Sequence, residues 1–378
     1  VVEAAYVGNR GVWWQAPVLS NLNAIPESRL KAYGLDLKNP ADLQLLTSLL
    51  SSPTAASRGF NRPPYPGFPL GQTVAQSLRP FPQFTSINSY WAPLGKSWYD
   101  ALQAKVNKRM SHGLFLFATF AWSKALSQGT EIGEPNPGTT GGAVANDIFN
   151  RPIDKYISVY DRPFSFNVSA TYTTPTLHIN KWLSSAAKDW VYGAALEYAS
   201  GSPLQVPNAQ NNLNSYLFQG AAGSAISFAN RVPGVPLYTV DLNCHCYDPN
   251  KTFVLNPAAW ADPAPGQFGA SPAYYSDYRA QRRPRENMNL GRTFKIKERA
   301  SFNLRIEFTN VFNRAFWGDP SGTALTNAKL QQVLFTAGAT RGNTSTGFGR
   351  INTTAPSAFG SVFNLQPRQG VLVGRFTF

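Results

Sequence analysis

Residues 163–173 read Pro-Phe-Ser-Phe-Asn-Val-Ser-Ala-Thr-Tyr-Thr, and this stretch decides the fold class. Phe164, Phe166, Val168, Ala170 and Tyr172 occupy every second position, and Ser165, Asn167, Ser169, Thr171 and Thr173 fill the gaps between them. A strand sends successive side chains to opposite faces, so the segment has one apolar face and one polar face. A helix would spread both sets around its circumference. A tilted strand needs ~9–11 residues to cross a bilayer, and this segment supplies about that length.

Working outward, the same period recurs. Ala300–Asn313 sets Phe302, Leu304, Ile306, Phe308 and Phe312 against Ser301, Asn303, Arg305, Glu307 and Thr309. Arg305 and Glu307 are neighbours on the polar face and can pair there. Trp98–Met110 opposes Leu102, Ala104, Val106 and Met110 to Gln103, Lys105, Asn107 and Arg109. After the short turn Ser111-His112-Gly113, Leu114–Ser123 places Leu116, Phe120 and Trp122 on one face. Trp190–Ser200, Asn287–Ile296 and the terminal Val371–Phe378 alternate in the same way.

Composition agrees. Charged residues are only 14% of the 378 residues, against ~25% in soluble domains, and aromatic residues are 13%. No run approaches the ~18 consecutive apolar residues of a membrane helix. A chain poor in charge, rich in aromatics and alternating over short segments is expected to be all-β, a transmembrane antiparallel β-barrel.

The connections alternate in length. Gly8–Gly11, Ser111–Gly113 and Lys297–Arg299 read as short turns, and 176–188 as an intermediate one. Residues 19–97, 127–160, 204–285 and 317–364 read as long loops rich in Gly, Pro, Asn and Ser. Structureless loops of that length are foreign to a compact soluble domain. Outer-membrane barrels have them on the extracellular side, with short turns in the periplasm. Counting back from Phe378 gives strands near 365–378, 300–316, 286–297, 189–203, 161–175, 114–126, 98–110, 11–18 and 1–8. That count of nine is odd, whereas single-chain bacterial barrels are even, so further strands are expected upstream. Inside the first loop, Asn39 to Leu50 reads as a short helix with Asn39 as its cap and Pro40 in the first turn.

On this reading Gln103, Lys105, Asn107, Arg109, Asn167, Glu197, Asn303, Arg305 and Glu307 face the lumen, where they hold a plug, touch a ligand or pair with one another. Trp98, Trp122, Trp190 and Tyr198 lie near strand ends, where an interfacial girdle belongs. Tyr274, Tyr275, Tyr278 and Trp317 sit in loops, free for ligand or packed among themselves. The basic run Arg279–Arg285 reads as a solvated rim. The net charge of +14 is scattered, so no nucleic-acid partner is expected. Cys244 and Cys246 flank His245. They read as a local disulfide or a free thiol pair in preference to a metal site, which needs four ligands when closed.

Several stretches in order resemble one family. Val1–Gly11 is similar to the first strand of TonB-dependent receptors with an Oar-like barrel. Trp98–Arg109 with His112-Gly113-Leu114 and Trp122-Ser123-Lys124 resembles one of their hairpins. Tyr160–Phe164 resembles the lead-in to the next strand, Phe253–Trp260 a loop, and Asn289–Phe316 the hairpin that carries Glu307-Phe-Thr-Asn-Val-Phe-Asn313. The resemblance implies that 1–378 is the C-terminal portion of one outer-membrane barrel domain, with the family's plug and N-terminal β-sandwich absent from this chain. It implies residence in the outer membrane of a Gram-negative bacterium, and uptake of a large ligand such as a glycan or a metal chelate. Outer-membrane lipid, the barrel-assembly machinery, an inner-membrane TonB complex acting through the plug, and an unknown extracellular ligand are the implied partners. Leu372, Phe376 and Phe378 suit the C-terminal assembly signal, although Gly374 stands one position closer to the end than is usual. A plugless porin or adhesin is the alternative, and a soluble secreted glycan-binding β protein a more distant one.

No zincin, P-loop, nucleophile-elbow or dinucleotide pattern occurs, and Asp147, Asp154 and Asp161 are separated loop acids. The expectation is a wall and binding surface, not an enzyme, with no cofactor and no metal.

Overall fold

A computed structural model describes residues 1–378 apart from 129–148, 176–179, 210–227, 245, 265, 298–299, 316, 322–329, 335–343 and 352–366. Eight long strands form one antiparallel sheet in sequence order: β1 Val2–Asn21, β2 Asn88–Ser111, β3 Leu114–Gln128, β4 Phe164–Thr173, β5 Trp190–Ala199, β6 Arg285–Lys297, β7 Ala300–Thr309 and β8 Gln369–Thr377. A ninth, short strand, Lys155–Ile157, pairs with the end of β3. Among the described residues, no helix is long and apolar enough to cross a membrane.

The register turns the alternation of single strands into rows across the sheet. Tyr6 lies opposite Leu102, Leu102 opposite Trp122, and Trp122 opposite Phe164. Ala104, Phe120, Phe166 and Tyr198 form the next row, and Phe294, Phe302 and Phe376 another. Tyr6, Trp122, Phe164, Ile296 and Leu372 are each more than half exposed, with nothing among the described residues covering them. The opposite face carries Lys105, Thr119, Asn167 and Glu197 in one row. An apolar face this large stays out of water only if lipid covers it. The structure is therefore an all-β membrane sheet with its greasy side outward.

Residues 8–11 are not a turn. Gly8, Asn9, Arg10 and Gly11 continue β1, opposite Asp100, Tyr99, Trp98 and Ser97. Neither glycine has a positive φ. Gly11 is glycine for another reason: a Cβ there would lie 2.0 Å from Trp14 Nε1 and 2.4 Å from Ser97 Oγ. The strand bulges at Val12–Trp14, where Trp13 has a φ of 60°. Two expected strands thus merge, and among the described residues the count of long strands is eight rather than nine. With eight antiparallel strands, β1 begins at the same end at which β8 finishes, so the odd-count argument for upstream strands falls.

The true turns lie at that end. His112 and Gly113 both have positive φ, 50° and 78°, which is the two-residue hairpin geometry that matches strand twist. A Cβ on Gly113 would meet Thr173 O at 2.2 Å. Gly113→Val is expected to cost about 1–3 kcal/mol, read as a lower urea midpoint in lipid vesicles. An unchanged midpoint would contradict the turn assignment. Residues 174–189, where the sequence predicts an intermediate connection, contain a short helix, α5 Lys181–Ala187, capped by Asn180. Glu298 and Arg299 lie outside the described residues.

At the other end the described parts of the long connections are folded. Residues 22–87 hold α1 Glu27–Ala32, α2 Pro40–Thr47, α3 Pro53–Ser57 and α4 Val74–Ser77 around buried Ile25, Leu30, Leu45, Leu46 and Val74. Asn39 caps α2 as expected, accepting from Ala41 N at 3.0 Å. The remaining loops share a second core, in which Ile157, Val206, Phe228, Leu255, Tyr278, Phe348 and Ile351 are buried together. Phe268, from the connection between β5 and β6, packs against the helical loop.

Candidate binding surfaces of the barrel wall and loops

The polar face is the first surface. Its residues come from seven strands, β1 to β7, and are aligned by register, because the pleat fixes which side each one takes. Lys105 Nζ lies 3.3 Å from Glu3 on β1, Arg285 Nη1 lies 3.4 Å from Glu197, and Arg305 Nη2 lies 2.6 Å from Glu307. Asn303 donates to Thr293 Oγ1 at 2.9 Å, and Asn167 to Thr119 Oγ1 at 3.4 Å. Gln103, Lys105 and Asn167 line a cavity of about 360 Å³ on this face, together with Glu3, Thr119 and Ser165. Asn107 shares their row parity, and exposed Arg109 lies at the short-turn end of β2. The expected residues therefore share one face; Arg305 and Glu307 pair with each other, and Lys105 and Glu197 pair with further residues of that face. The partners Glu3 and Arg285 were invisible in the sequence, since they follow from register.

The aromatic residues do not form a single belt. Trp122 and Tyr198 sit in the outward rows, and Trp98 lies under Lys155, whose Nζ is 4.3 Å from the ring centroid. Trp190 is at the opposite end, its Nε1 donating to Ala186 O at 2.8 Å, with the Arg292 guanidinium beside it. Leu372 and Phe376 face outward on β8, and Phe378 is almost fully exposed at the chain end.

The loop core is the second surface, and it explains several motifs. In Phe253–Trp260, Asn256 accepts from Ala258 N at 3.0 Å and donates to Pro236 O at 2.8 Å, while Val254, Leu255, Ala259 and Trp260 are buried. In Tyr160–Phe164, Asp161 is buried. It accepts from Ala125 N at 2.6 Å and pairs with Arg279. In Glu307–Asn313, Asn310 and Asn313 take positive φ, and Asn313 Oδ1 accepts from Arg368 N at 3.0 Å, joining the top of β7 to that of β8.

The run Arg279–Arg285 is not a solvated rim. Arg279 is largely buried, Gln281 is buried, Arg283 pairs with Asp319 at 2.6 Å, and only Arg282 is exposed. Each guanidinium that leaves water has found a carboxylate or carbonyl, which is the condition for burying a charge. Tyr274 and Tyr278 are buried, and Tyr275 and Trp317 pack against the same core, so these aromatics are loop packing. Burial pushes the Tyr238 hydroxyl up to about 12, and it remains a neutral partner that accepts from Arg279 N at 2.5 Å. Cys244 and Cys246 form a disulfide, so the thiol alternative falls; His178, His245 and Asp147 lie outside the described residues. Among the described residues, no group of three His, Cys, Asp or Glu is placed to hold a metal.

The helical loop contains a pH-sensitive clasp. Asp42 is buried; burial raises its carboxyl, but the Asp36 N–H at 2.8 Å and Arg58 at 2.6 Å outweigh it and hold the group below the usual range. A depressed folded value means that this contribution is present above the unfolded pKa and is lost as pH falls through the folded one. Limited proteolysis of residues 22–87 is expected to accelerate in acid below the ordinary carboxylate range. Asp42→Asn should be cleaved faster at neutral pH and respond less to acid.

An outward apolar sheet, a paired polar inner face, short turns at one end and folded loops at the other describe a bacterial outer-membrane barrel. Residues 1–369 match the family described as outer membrane beta barrel domain. The chain belongs to that family. Membership of the outer membrane beta barrel domain family places the protein in the outer membrane of Gram-negative bacteria. Neither the curated proteins nor the solved structures hold a match.

Proposed function

We propose that this outer-membrane barrel is the wall and outer binding surface of a TonB-dependent receptor, taking up a ligand too large for a porin, of the glycan or metal-chelate class. The observation that carries the reading is the folded extracellular end. Two buried cores hold the described parts of four long loops together, as selective capture requires and free diffusion through a pore does not. The ordered motifs shared with the Oar-like barrels support it as well.

The sheet also supports a larger barrel. Among the described residues, no pairing joins β1 to β8, so both present an open edge. Open edges do not persist in hydrocarbon, because each unpaired backbone group there costs several kcal/mol. Further strands would close the wall around the paired polar face, where a plug would dock. Motive force would then come from the inner-membrane complex acting on that plug, and the barrel-assembly machinery would act through the outward residues of β8. The wall would do no chemistry of its own.

The test is uptake and growth on glycans and iron chelates in a strain lacking the gene, with and without a working energising complex. Energy-dependent loss of one ligand supports the reading. Uptake that persists without the complex would make the protein a porin, and surface attachment without uptake would make it an adhesin.

A further inference from the structure

The outward face carries a feature that neither transport nor wall-building uses. Just beyond the row Tyr6, Leu102, Trp122 and Phe164, on the same face and toward the long loops, stand Arg10, Lys96, Lys124 and Lys155. Lys96 and Lys155 both lie opposite Gln128, on either side of it, hence about 10 Å apart at the usual strand spacing. Lys96, Lys124 and Lys155 are exposed, and no ion pair holds any of them among the described residues. Asp100, the carboxylate opposite Lys124, is already committed, held by Arg10 at 2.9 and 3.0 Å and by the Tyr6 hydroxyl at 2.5 Å. Lys155 Nζ lies 4.3 Å from the Trp98 ring centroid, and tryptophan is a side chain that favours the membrane interface.

Beside these cations the wall is notched. β3 leaves β4 to pair with Lys155–Ile157, and Asp161 and Arg279 fill the gap where the strands part. The notch holds about 370 Å³; its lining includes Tyr6, Leu102 and Trp122 on the apolar side and Asp100, Lys124, Asp161 and Arg279 on the polar side, and Lys96 and Lys155 stand outside it, toward the long loops. Apolar floor, aromatic rings and ammonium groups that no ion pair holds among the described residues follow one another along the strands toward the long loops. A soluble anion has no use for the first two. A membrane lipid with a phosphorylated headgroup uses all three.

We propose that this notch seats an outer-leaflet lipid, with its acyl chains along Tyr6, Leu102, Trp122 and Phe164 and its headgroup phosphate on Lys124, Lys96 and Lys155. The inference requires only that the apolar face meets lipid, and it is independent of the transported ligand. The experiment compares the full chain with the triple variant Lys96→Gln, Lys124→Gln, Lys155→Gln, and with Lys108→Gln on the same face near the short turns. Each is reconstituted in phosphatidylcholine vesicles and titrated with lipid A, and separately with inorganic phosphate. Lipid A is expected to bind the triple variant about 100-fold more weakly than the parent, a loss consistent with three lysines at a charged interface, and Lys108→Gln within about twofold of it. Inorganic phosphate should not compete. Equal lipid binding by parent and triple variant would overturn the proposal, as would competition by free phosphate. Should the triple variant fail to refold, Lys124→Gln and Trp122→Ala carry the test, and each should weaken lipid binding about fivefold. Unchanged binding in both would be equally fatal.

Discussion

Asp161→Ala is expected to loosen the extracellular loops together, at a cost of about 3–5 kcal/mol, because it leaves a buried guanidinium without its counter-charge. Asp161 is 1% exposed, and its two carboxylate oxygens serve different elements. Oδ1 accepts from Ala125 N at 2.6 Å, where β3 turns away from β4, and Oδ2 receives Arg279. Arg279 spreads its remaining hydrogens over Asp161 O at 3.1 Å, Gly201 O at 3.2 Å and Ser276 O at 2.7 Å. One side chain thus ties residues 158–163, the top of β5 and the strand Tyr274–Arg279 into a single seam. Removing the acid orphans a backbone N–H and a buried charge in the same step. The expected readout is a lower urea midpoint together with new protease cleavage within residues 200–284. Arg279→Lys should not rescue stability, since an ammonium cannot reproduce the fork. Wild-type cleavage and midpoint in Asp161→Ala would show that the seam contributes nothing.

The second large effect separates the two faces of one strand. Val168→Arg is expected to destabilise the membrane-embedded protein by about 2–4 kcal/mol, the cost of a guanidinium at the lipid face near the bilayer centre. Asn167→Arg, one residue away, should cost under about 1 kcal/mol. Val168 lies in a row with Val106, Ala118 and Leu196, whereas Asn167 lies between Thr119 and Glu197. An added arginine at 167 meets a carboxylate and water, and one at 168 meets acyl chains. Unfolding in vesicles measures both. Equal costs would mean that the two faces see the same medium.

Much of the wall was legible in the sequence, because side-chain parity is a local property. Phe164 to Thr173 declares its two faces without reference to any other segment. The misreadings came where local signals have more than one cause. Gly8 and Gly11 resemble a turn by composition, but Gly11 is small because Trp14 and Ser97 crowd it, and that crowding depends on pairing with β2. The inner-face residues were legible by parity, yet their partners were not: Lys105 meets Glu3, and Glu197 meets Arg285, through register alone. The loop cores left no trace at all. Val206, Leu255 and Phe348 come together across long stretches of chain and have no period of their own. The basic run Arg279–Arg285 misled for the same reason, since its carboxylates lie in other loops.

The claim on which the account rests is that alternate residues of each strand meet lipid and their neighbours meet water. The direct measurement is a spin-label scan of residues 163–173 in lipid vesicles, with the Cys244–Cys246 disulfide left intact so that neither sulfur takes the label. Collision with oxygen, which concentrates in lipid, should peak at 164, 166, 168, 170 and 172, and collision with a water-soluble nickel chelate at 165, 167, 169, 171 and 173. Accessibility that is uniform along the segment, or low to both reagents at the even positions, would place Phe164, Phe166 and Val168 inside a protein core and contradict the outward-facing wall.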